Sequence, residues 1–230
     1  MAARRAVATT PTVEARFVLG AALRRTGALD LARAILTPLA ASLPGSWGVH
    51  YEHGMTLAGM GQIVAALTAL ETAVRLNPGS SLAAYALGDA LLLVDQTAEA
   101  AAVQARAVPG TVTDPRLVAA AAAWLHQGDT APLAALGLHL SDIGAVCLVA
   151  DAGLRSGMVD AVAAMLATAL AVTPSYLPAR YALALSFHRL DRSEDALAAI
   201  DTVLAAVPGT VVLRALRATI QMQRGDVAAA

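Results

Sequence analysis

His50 and His53 lie three residues apart, the spacing that puts two metal ligands on one face of a helix. A metal site needs a third ligand, and none with sensible spacing follows, so both read as structural histidines. Cys147 is the only cysteine. It has no partner for an internal disulfide, in keeping with a reducing compartment, and no base is placed beside it to make it a nucleophile. A small buried or groove-lining residue is the plainer reading. Arg224-Gly225-Asp226 spells an integrin-type tripeptide, but Gly225 falls at a turn position that recurs along the chain. All sixteen Lys+Arg residues are arginines. Without lysine there is no Walker-type phosphate site and no Schiff-base chemistry. No glycine-rich loop follows a strand, because no strand pattern occurs. The expectation is a chain with no catalytic residues, no metal and no cofactor.

The elements that would carry any site are helical. Hydrophobic residues make up 57% of the chain while aromatics are 3%, and mean hydropathy is +0.61. Much of the apolar content is alanine, which favours helix and lets helices approach closely. A net charge of −1 and a pI near 6.5 provide no basic field for nucleic acid. The apolar run 17–23 is too short for a signal peptide, and the run 161–172 falls short of the ~20 residues that span a bilayer. These features predict a cytoplasmic chain with no nucleic-acid partner and no membrane insertion.

The helices recur with a fixed period. A lead-in, residues 1–12, has Pro11 near the first helix start. Gly20, Gly27, Ala32 and Pro44 then return 34 residues later as Gly54, Gly61, Ala66 and Pro78. The third unit keeps Gly88, Ala100 and Ala107 in step, with Asp95 at the turn position and an early proline, Pro109. The unit at 114–142 is shorter: its first helix ends near Gly128, and its second carries Pro132 and Gly137. It reads as a degenerate repeat that changes the local curvature, or as a boundary between two blocks. Regular spacing resumes at 143–176 and 177–210. In the final stretch, 211–230, Leu213, Leu216 and Ile220 make one apolar stripe beside a polar one, which suits a capping helix or a cut repeat.

A 34-residue helix–turn–helix period, with Gly54, Ala66 and Pro78 at its landmarks, resembles the tetratricopeptide-repeat family. The resemblance implies units at 13–46, 47–80, 81–113, 143–176 and 177–210, stacked as an all-α right-handed superhelical solenoid with a concave groove. In that family the fifth, ninth, twelfth and thirteenth residues of each first helix face the groove. The fifth positions here are Phe17, Tyr51, Tyr85, Val118, Cys147, Tyr181 and Ala215, so four of the six Tyr and Phe residues fall on one row. Such a row can hold a peptide or helix, or can fill gaps between neighbouring helices. Met55 is a ninth-position candidate. The polar groove candidates are Arg24, Arg25, Asp89, His126, Asp151, Arg155, His188 and Arg189, mixed in sign. Phe17 and Ala21 stand where chaperone-tail binders of the family carry a carboxylate clamp, which excludes that ligand.

Two functions are open at this point. One is an interaction scaffold that binds a protein or peptide in its groove, with homo-oligomerisation a further possibility. The alternative is a docking or regulatory module of a larger bacterial enzyme. The stretch 178–210 is similar to the repeat region preceding a sulfotransferase or other transferase domain, with catalysis then lying beyond residue 230.

Overall fold

The computed structural model describes residues 12–107 and 115–225. Among them are thirteen helices and no strand. They run as hairpins: α1 (Val13–Arg25) with α2 (Leu29–Ser42), α3 (Trp47–Gly59) with α4 (Ile63–Leu76), and α5 (Ser81–Leu93) with α6 (Thr97–Ala107). Then come α7 (Pro115–Gln127) with the five-residue α8 (Ala131–Ala135), α9 (Ile143–Arg155) with α10 (Val159–Val172), α11 (Leu177–Arg189) with α12 (Ser193–Ala206), and α13 (Val211–Arg224). The chain is an all-α helical-repeat solenoid. The N-terminal lead-in with Pro11, the closing Pro109, and the last five residues with Asp226 lie outside the described residues.

Local chemistry sets these boundaries. The side chains of Thr12, Ser80 and Asp142 accept hydrogen bonds from the backbone N–H groups of Ala15, Ala83 and Gly144, capping α1, α5 and α9. Each hairpin turns through a residue in the left-handed region, and Asp95 and Asp191 fill that position as well as glycines do. Short polar side chains tolerate this conformation better than other residues with a Cβ. Gly54 matters for packing instead. A Cβ there would sit 2.7 Å from Leu70 Cγ, so its absence lets α3 press onto α4. The matching stripe on α4 is Ile63, Ala66, Leu70 and Ala73, all buried at helical spacing.

The path of the solenoid differs from the open groove expected along its whole length. Stacking is regular through α1–α6 and again through α7–α13, but the inner helices of the two stacks also pack on each other. Helix α5 touches α9 and α11 as well as α3 and α6. The contact continues at the helix ends. Thr210 donates its hydroxyl to the Leu93 carbonyl at 2.6 Å, and the Asp95 carboxylate accepts from the Val211 amide at 2.7 and 2.8 Å. Tyr176, just before α11, is buried and points its hydroxyl at Met55 Sδ, 3.7 Å away. Tyr51, Met55 and Tyr85 from the first stack and Cys147 and Tyr176 from the second are buried where the inner faces meet. Each large apolar side chain so covered contributes about 1.5–3 kcal/mol. A smaller separate core joins the first hairpin to α3 through Ala32, Leu36, Leu39 and Val49, with Phe17 packed against it. Among the described residues no helix is long and apolar enough to cross a membrane.

Candidate functional site

Helices α1, α3 and α9 meet at a buried polar cluster. Arg24, 3% exposed, gives its Nε to Glu52 and both terminal nitrogens to Asp142, at 3.4 and 2.8 Å. Arg25 reaches the other Glu52 oxygen at 3.3 Å, and the Tyr51 hydroxyl lies 3.4 Å from Asp142. The Arg24 guanidinium also lies 6.0 Å from the centroid of the Tyr51 ring. Burial alone would lower the Arg24 pKa, but the Asp142 and Glu52 carboxylates outweigh it and the net shift is upward. The cluster is charge-matched, with Arg24, Glu52 and Asp142 buried and Arg25 entering from the exposed side, and it joins the two stacks.

Farther along the same seam the two stacks part and leave a recess of about 240 Å³ between α5, α6, α9 and α11. Tyr85 and Asp89 line it from α5, Cys147, Asp151 and Arg155 from α9, and Tyr181 from α11. The Tyr85 hydroxyl donates to Asp151 at 3.3 Å, and Arg155 Nε donates to the same oxygen at 3.2 Å. Burial, and then the neighbouring Asp151 charge, push the Asp89 carboxyl up to about 7. Burial is also the main reason the Tyr181 phenol is raised, with Asp89 adding to it. The Cys147 thiol is raised well above its ordinary value by burial and by Asp89 and Asp142. It is therefore a poor thiolate, and its place in the recess gives it no nucleophilic character.

The thirteen sequence candidates thus separate into groups. Tyr85, Asp89, Asp151, Arg155 and Tyr181 converge on the recess. Arg24, Arg25, Tyr51 and Met55 belong to the seam, with Arg25 at its exposed edge; Tyr51 and Met55 are 4% and 1% exposed and face the chain's other half rather than an open groove. Phe17 is half-buried on the smaller core, with its ring end beside Gly48. Arg189 donates to the Leu154 carbonyl at 2.7 Å and ties α11 to the end of α9. His126 is exposed at the end of α7, and His188 is half-buried on α11; neither lines the recess.

Four residues here escaped the sequence reading. Asp142 precedes the fifth unit, and its only visible signal was that of a helix cap. Glu52 sits between two tempting histidines. Gln104 lies on a second helix, where groove residues are not sought, and Pro178 is in the first turn of α11. The two histidines themselves have local partners: His53 Nε2 meets Thr37 Oγ1 at 3.1 Å, and His50 Nε2 meets the Pro44 carbonyl at 3.2 Å. Among the described residues no group of three or more His, Cys, Asp or Glu is placed to hold a metal ion.

A family model described as tetratricopeptide repeat matches residues 51–116 and 150–210, more than half of the chain. No curated protein matches it. Similar solved structures include human IFIT1, solved as a dimer with PPP-AAAA, at 16% identity and a TM-score of 0.44, covering 93% of this chain and 46% of that one. A thermophilic repeat protein of Thermus thermophilus aligns at 19% identity and 0.41, covering 92% and 100%. A tetratricopeptide repeat protein from Parabacteroides merdae aligns at 17% and 0.44, covering 96% and 75%. The chain spans less than half the length of the IFIT1 chain.

Proposed function

Because the chain belongs to the tetratricopeptide-repeat family, we propose that it is an interaction scaffold that grips a partner polypeptide at the recess between α5, α9 and α11. One observation carries this reading. Five residues placed by repeat spacing on the inner faces of three different units line a single cavity. Arg24, Tyr51 and Met55 on the same face are covered by the chain itself, whereas the recess opens it between three units. Its walls combine two tyrosines with carboxylates and a guanidinium, a mixture that can hold a protruding side chain while the rim supports the segment on either side. The volume suits one side chain rather than a helix.

The test uses a random-peptide display library panned against the wild type and against Leu185→Trp, which fills the recess without removing a charge. Peptides retained by the wild type and lost by a Leu185→Trp variant of unchanged circular dichroism support the reading. Equal retention by both proteins overturns it.

A further inference from the structure

Resting on that reading of the recess, we infer that its guest is a positively charged side chain, a lysine or arginine of the partner. The cavity contains two carboxylates, Asp89 on α5 and Asp151 on α9, and one guanidinium, Arg155 on α9. No other charged residue among those described lines it: Gln104 from α6 and Tyr181 and Pro178 from α11 complete the polar and proximal walls, with Cys147 on α9 as a neutral thiol. The single guanidinium is already committed to Asp151, which also accepts from Tyr85. Asp89 makes no hydrogen bond or ion pair with any described residue. The recess is therefore one positive charge short.

Burial, and then the Asp151 charge with no cation to offset it at Asp89, raises the Asp89 carboxyl to about 7. A cation placed between the two carboxylates would remove both causes of that shift, by replacing lost hydration and by offsetting Asp151. The remaining walls fit the rest of such a side chain. Tyr85 and Tyr181 offer aromatic surface for an ammonium or guanidinium, and Leu92, Leu154 and Leu185 can cover an alkyl stem. An acidic guest would meet two carboxylates against one guanidinium, and an apolar one would leave Asp89 without a partner. With no third ligand of the right type, a divalent metal has too few donors here.

The groups that face Asp89 define its pH response. They are Tyr85 on its own helix, Cys147, Asp151 and Arg155 on α9, and Tyr181 on α11. Of these groups only Asp89 is raised to a value near neutrality, so cation binding should be strong above pH 7 and weaken below it.

The experiment is a titration of the full chain with n-butylammonium and with 1-butanol, its neutral counterpart, followed by NMR shifts of the amides around Tyr181 and Asp151. Butylammonium should saturate in the millimolar range, about tenfold tighter than butanol. Its affinity should fall about tenfold on moving from pH 8 to pH 5.5 and in Asp89→Asn at pH 8. Equal binding of butanol, an unchanged affinity in Asp89→Asn, or no saturable shift up to ~50 mM overturns the cation assignment. The parent reading is decided separately by Leu185→Trp in peptide display: peptides that need the recess but carry no lysine or arginine would keep the scaffold and discard the cation.

Discussion

Arg24 is the residue on which most of the seam's polar chemistry turns. Its Nε and both terminal nitrogens are shared between Glu52 and Asp142, and its side chain is buried. Arg24→Met should therefore destabilise by about 3–5 kcal/mol, because Asp142 is left buried without a cation and Glu52 keeps only the half-exposed Arg25. Urea denaturation of that variant against Arg24→Met/Glu52→Gln/Asp142→Asn separates the causes: the triple variant should regain much of the loss. A triple variant no more stable than the single one would assign the loss to packing instead. Asp89 behaves in the opposite sense. Its folded pKa, raised to about 7, lies above the unfolded value, so the stability it contributes is present in acid and is lost as pH rises from about 4 through about 7. In the free protein, melting temperature should fall between pH 5 and pH 8 more steeply in the wild type than in Asp89→Asn. Parallel curves would show that Asp89 titrates normally.

At the scale of single helices, Asp95 has two roles that a substitution can separate. It takes the left-handed backbone at the α5–α6 turn, and its carboxylate caps α13, 116 residues away. Asp95→Gly keeps the first and removes the second. It should cost about 1 kcal/mol and loosen the first turn of α13, visible as faster amide exchange at residues 211–214. Exchange at the α5–α6 turn that rises instead would place the cost in the backbone. The short α8 is the other exposed element. Five residues make too few intrahelical hydrogen bonds to hold a helix alone, and its main anchor is the buried Leu133. Amides at 133–140 should exchange faster than those of α4, and equal protection would refute this weakness. Much at this scale was legible in the sequence. Gly54, Gly61 and Pro78 recur at a fixed interval because helix packing needs a small residue and the turn needs a left-handed one. The pairing of Asp95 with Val211 was not legible, since a local period carries no information about contacts between distant units.

The same limit governs the whole molecule. Spacing identified the repeating unit and brought Tyr85, Asp89, Asp151, Arg155 and Tyr181 forward as inward-facing residues. It could not reveal that the inner faces of the two stacks would meet, because an aromatic row reads alike whether it awaits a partner or the chain's own second half. That meeting predicts how the protein unfolds. An open repeat array can fray from its ends, unit by unit. Here Arg24–Asp142, Met55–Tyr176 and Asp95–Val211 tie distant units together. The two tryptophans offer a direct check, as Trp47 lies on α3 and Trp124 on α7. In Trp47→Phe and in Trp124→Phe, the remaining tryptophan's fluorescence and the far-UV circular dichroism should share one denaturation midpoint. Separate midpoints within either variant would show that the stacks unfold independently.

The bond between Asp95 and the Val211 amide also has a consequence for biosynthesis. The chain emerges from the ribosome with its N-terminal end first, and 116 residues separate the two partners. At typical bacterial to eukaryotic elongation rates that interval lasts roughly 6–23 s. Within it the first three hairpins can assemble among themselves, but Tyr51 and Met55 stand uncovered until Asp142 and Tyr176, which cover them, have been translated. The newborn chain therefore passes through a stage with an aromatic, methionine-bearing surface open to whatever surrounds the ribosome, and translation speed sets how long it lasts.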